Sequence, residues 1–122
     1  SSETFAELFL PAIERQLEYL DCAVHHLDGV EAFRHVGLLC ELPRLRAIQP
    51  LPGAGKRSAA HYMHLLKEIQ AHGKNLHLRI PPEEVELVLR ELSARGVLIQ
   101  TSCRSEGEAR ALLANVGKWS HD

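Results

Sequence analysis

Short apolar runs of five or six residues alternate along this chain with longer stretches in which apolar residues recur every third or fourth position. The short runs fit strands and the longer stretches fit amphipathic helices, so the order of the two fixes the fold class. Residues 22–27, 45–49, 75–80 and 97–101 predict four strands. Residues 30–42 predict a helix stopped by Pro43, and residues 58–71 predict one capped by Gly73. Pro81-Pro82-Glu83-Glu84 opens another helix, closed by Gly96, with proline and acidic residues where a helix N-terminus favours them. Ser105 with Glu108 reads as a capping box that starts a last helix, running to about residue 116. An opening helix is predicted over residues 4–20, with a Thr4/Glu7 capping box and with Pro11 either kinking it or delaying its regular start.

Strands joined by helices of this length run parallel, because each crossover returns the chain to the same end of the sheet. The expectation is an α/β fold: one domain over residues 1–122, with an N-terminal helix and four βα units. Those units average about thirty residues, the pitch of a (β/α)8 barrel, whereas a full barrel takes about 250 residues. This length therefore supplies a (β/α)4 half of such a barrel, or a small open sheet.

Charge and cysteine usage narrow the function class. Fourteen basic residues against 16 acidic ones give a net charge of −2, which argues against a nucleic-acid binder. No apolar run approaches a membrane span, and no basic-then-apolar leader opens the sequence. Cys22, Cys40 and Cys103 form an odd, sparse set without a CxxC pair, which points to a reducing, cytoplasmic setting.

Parallel βα architectures bind ligands at the carboxyl ends of their strands. Those ends carry His25-His26-Leu27-Asp28-Gly29, Gln49, Arg79 and Thr101-Ser102-Cys103-Arg104. His26 and Asp28 stand two apart, so an extended backbone turns them to one side. Imidazole, carboxylate and thiolate all ligate zinc, and three protein ligands with one open position describe a catalytic zinc site. His26, Asp28 and Cys103 are therefore candidate metal ligands, with His25 as a substitute. The competing reading makes Asp28 a turn residue, His26 a hydrogen-bonded strand end and Cys103 a small buried apolar side chain.

Other features fit plainer roles. Leu51-Pro52-Gly53-Ala54-Gly55-Lys56-Arg57-Ser58 lacks the Walker pattern, since Pro50 and Arg57 occupy positions that need Gly and Ser or Thr. It reads as a turn, with an anion cradle in a small flavodoxin-like sheet as the alternative. His61 and His64 read as a solvated helix surface without a carboxylate at metal-binding spacing, and Trp119 as an anchor for the last helix.

The run His26-Leu27-Asp28-Gly29, then Ala32-Phe33-Arg34-His35 and Leu38 to Pro43, resembles the later part of the uroporphyrinogen decarboxylase superfamily. Ala47-Ile48-Gln49-Pro50-Leu51-Pro52-Gly53-Ala54-Gly55 extends that resemblance, which runs from about Thr4 to Val116. It implies a (β/α)8 barrel of which this chain is similar to the C-terminal third. The superfamily includes decarboxylases and methyltransferases that move methyl groups between corrinoid proteins and thiols. The N-terminal arginines and aspartate that hold the porphyrinogen in the decarboxylase have no counterpart here. In the thiol methyltransferase branch a His-x-Cys-Gly strand end and a distant cysteine bind zinc. His26-Leu27-Asp28-Gly29 is similar to the first element and Cys103 to the second, with the harder donor Asp28 in place of cysteine.

The resemblance thus implies zinc-dependent methyl transfer between a corrinoid or other methylated donor and a thiol. Gln49 would then be a substrate-binding residue for a small molecule. Decarboxylation in a longer parent protein and a non-catalytic half-barrel are the alternatives. The barrel would be completed by a homo-oligomer partner or by an N-terminal half.

Overall fold

The computed structural model describes all 122 residues. Four strands, β1 (Ala23–Asp28), β2 (Leu45–Leu51), β3 (Asn75–Arg79) and β4 (Val97–Gln100), form one parallel sheet in the order β1-β2-β3-β4. An unreversed order with right-handed crossovers sends every connecting helix to the same face. The flavodoxin-like alternative needs a reversal of strand order, which this sheet lacks. The architecture is the (β/α)4 half of a barrel.

Helical segments precede and follow the strands. They are α1 (residues 2–17), α2 (residues 30–40), α3 (residues 59–71), α4 (residues 82–91) and α5 (Glu106–Trp119). No helix is long and apolar enough to cross a membrane.

Beneath the helices lies one core. Leu39, Ile48, Leu66, Ile69, Leu78 and Val88 are fully shielded from water there. β2 and β3 send Ile48, Leu76 and Leu78 to this side, as the alternation of a pleated strand requires. Polar ties fix the rim of the layer. Arg44 caps the end of α1, donating from Nε to the Leu17 carbonyl at 2.9 Å. Lys74 Nζ donates to the Leu42 and Leu45 carbonyls at 2.7 and 2.9 Å, joining the start of β3 to the α2–β2 connection.

Several boundaries depart from the sequence expectation for physical reasons. The opening helix starts earlier, with Ser1 as its N-cap instead of Thr4, and ends at Leu17. Pro11 delays the regular start, one of its two expected effects: the Leu10–Leu17 α-helix begins with the proline in its first turn, after a π-helical turn over Phe5–Phe9. β2 continues through Pro50 to Leu51, because the pairing of β2 with β3 is confined to Ala47 and Ile48 and leaves Pro50 free of that ladder. Gly96 is not the cap of α4, which ends at Glu91. It sits at the entry to β4 with φ +74°, packed so closely on Asn75 that a Cβ there would collide with that side chain. The last helix reaches Trp119, started as expected by Ser105, whose Oγ accepts from the Glu108 amide at 3.2 Å.

Candidate functional site

The face of the sheet opposite the helices is uncovered. Val24 on β1 and Leu98 on β4 are 56% and 62% exposed on it, unusual for a parallel sheet, whose strands are normally buried on both sides. This is the side that points inward in a closed barrel. Alternation places His26 and Asp28 of β1 on this face, with Gln49 paired to His26 across β2. Continuing the register brings His77 and Arg79 of β3 to the same side, beside Leu98 and Gln100 of β4. The carboxyl-terminal half of the open face is therefore lined by imidazole, amide, carboxylate and guanidinium groups.

One contact organises that set. His26 Nδ1 lies 2.8 Å from Gln49 Oε1. With the amide oxygen accepting, Nδ1 carries the proton and the Nε2 lone pair is left free to take a proton or bind a metal ion. Gln49, read from sequence as a substrate-binding residue, lies on the open face in contact with this histidine.

His25, the substitute ligand, belongs to the other face, between the strand and the helices. Burial, and secondarily the charge of His26, holds it below the ordinary imidazole pKa. It is a core-side histidine.

Cys103 lies in the β4–α5 connection, half-buried and unpaired. Since β1 and β4 are the two opposite edges, three strand spacings, about 14 Å, separate its strand from that of His26 and Asp28. No three His, Cys, Asp or Glu side chains in this chain stand close enough to hold a metal ion. The proposed zinc set is thus not assembled within one chain. Cys40 is buried and its thiol is pushed up by burial, as befits a packing residue.

The Gly-rich segment after β2 turns the chain. Gly53 and Gly55 take φ +98° and +74°, and the segment leans on the β1–α2 turn through the Val30 amide, which donates to the Pro52 carbonyl at 3.3 Å. Beyond it, Ser58 caps α3 by accepting from the Ala60 amide, and its Oγ donates to Glu84 Oε2. His61 Nδ1 stands 3.4 Å from Glu84 Oε1. The sequence reading gave His61 no carboxylate, because Glu84 arrives from α4 and shares no local spacing with it. This Ser58–Glu84–His61 clamp ties together the loops that follow β2 and β3.

Two adjoining clefts open at the carboxyl ends of β3 and β4, with volumes of about 380 and 800 Å³. The smaller is lined by Arg79, Gln100, Thr101 and Ser102, the larger by Arg104, Glu108 and Trp119 among others. No protein-family model, curated protein or solved structure matches this chain.

Proposed function

We propose that this chain is the catalytic wall of a uroporphyrinogen decarboxylase-like barrel, with His26 as the lone-pair donor of the reaction and Gln49 as the residue that positions it. The observation that supports this is the 2.8 Å His26–Gln49 contact on an uncovered sheet face, at the end of the strands where parallel βα folds bind ligands. The closing strands come from a second copy. The open edges favour that arrangement: β1 and β4 each have one side of their ladder unpaired. Edge-to-edge closure removes both open edges.

Closure also bears on zinc. The ligand set does not fit a metal within one chain, but pairing β4 with the partner's β1 would bring Cys103 of one copy toward the β1 rim of the other. On this reading zinc is a property of the closed barrel, and the reaction is methyl transfer to a thiol from a corrinoid or other methylated donor. Zinc binding by Cys103→Ala equal to that of the unaltered chain would sink the ligand set. The distance of Cys103 from β1 favours a second reading, in which His26 Nε2 moves a proton without metal, as in a decarboxylation. Activity that survives chelation and is lost in His26→Ala would select it. In either case Gln49→Leu should lower the rate by about 10–100-fold, the usual cost of losing a residue that orients a ligand or base. Steady-state kinetics of the variant measure it.

A further inference from the structure

We propose that the cleft between the carboxyl ends of β3 and β4 is a carboxylate-binding site, taking a small monocarboxylate with an apolar body. It stands on the single chain and needs neither zinc nor barrel closure.

Three observations converge there. Arg79 lines the cleft and takes part in none of the seven ion pairs of the chain. Thr101 Oγ1 is shut off from water with no hydrogen-bond partner, the one buried side-chain polar atom so placed. An orphaned hydroxyl of this kind is costly unless something else satisfies it. A single χ1 step carries a threonine hydroxyl to a neighbouring staggered position without moving the backbone, a route by which this donor could meet a ligand. Finally, Pro81 and Ser102 line both clefts, so the larger one directly adjoins the site beside Arg79.

Charge decides between anions. Arg79 is the only charged residue lining the smaller cleft, so a monoanion is balanced there and a phosphate dianion is not. Its planar fork matches the two oxygens of a carboxylate, with Thr101 as a further donor. The larger cleft beyond is walled by Pro81, Leu112 and Trp119, which suit an apolar body. Its charged members Glu83, Arg104 and Glu108 sum to one negative charge, which disfavours a second anionic group; Glu108 is engaged by the Arg104 amide at 2.7 Å and stands 3.5 Å from its guanidinium.

The test uses 3-phenylpropionate as probe. Trp119 is the sole tryptophan, so its fluorescence reports occupancy of the larger cleft directly. Saturable binding is expected, with Arg79→Met weakening it about tenfold or more, as loss of a charge-assisted pair should. The neutral analogue 3-phenylpropanol, on the unaltered protein, is expected to bind more weakly by a similar factor. That comparison holds even if the Arg79 variant fails to fold. Inorganic phosphate at equal ionic strength should not displace the probe. Equal affinity for acid and alcohol, displacement by phosphate, or no saturable binding overturns the proposal.

Discussion

His25 and His26 are neighbours in sequence with opposite settings, and the difference is testable by pH. His25 is held below the ordinary imidazole range by burial and by its neighbour's charge. The unfolded chain therefore binds the proton first as pH falls. Stability contributed by the neutral form is complete above the ordinary value near 6.5 and is lost progressively as pH falls toward the lowered folded value. His35, stacked on Phe5 with ring centroids 4.3 Å apart, is lowered by burial first and adds in the same direction. Urea midpoints should be lower at about pH 5 than at about pH 7.5, and His25→Gln should shrink that gap without closing it. At Gly96 the positive φ and the Asn75 side chain both oppose a Cβ, so Gly96→Ala should cost more than about 1 kcal/mol in denaturant unfolding. At this scale the sequence was partly legible. Period-two alternation placed His26 and Asp28 on one face correctly, whereas the partner of His26 was hidden. Gln49 meets it across a strand pair 23 residues away, through a register that no single run displays.

The elements were legible because their periodicity was strong and their punctuation unambiguous. Gly73, Ser58, Pro81 and Ser105 all mark real ends or starts. What escaped was how turns tighten: α2, α3 and α4 each begin with a 3-10 turn before becoming α-helical, which apolar spacing cannot distinguish. Pro11 left open a kink or a delayed start, and the delay is what occurs: a proline is tolerated within the first turn of the Leu10–Leu17 α-helix, and the turn before it is π-helical. Two substitutions gauge the elements. Ser58→Ala removes the cap of α3 and the tie to Glu84, and should cost about 1–2 kcal/mol by thermal or chemical unfolding. Ile48→Ala, on the central strand and fully buried, should cost about 2–5 kcal/mol through lost burial and the cavity left behind.

For the whole molecule, the decisive fact is asymmetry between the two faces of the sheet. One face holds the entire core, and the other leaves Val24, Leu98 and a row of polar side chains in water. Barrel pitch in the sequence anticipated this shape. It could not show that the proposed ligands fall on opposite edges, because strand order is a property of the folded sheet. On the proposed function, that separation makes activity depend on assembly, because Cys103 reaches the β1 rim only when another set of strands closes the sheet.

Native mass spectrometry of the chain purified without chelator reads subunit number and bound zinc in one experiment. A dimer of the 13.6 kDa chain that carries zinc, and loses it in Cys103→Ala, is the expected result. A metal-free monomer at all accessible concentrations would contradict closure by a second copy and remove zinc from the mechanism.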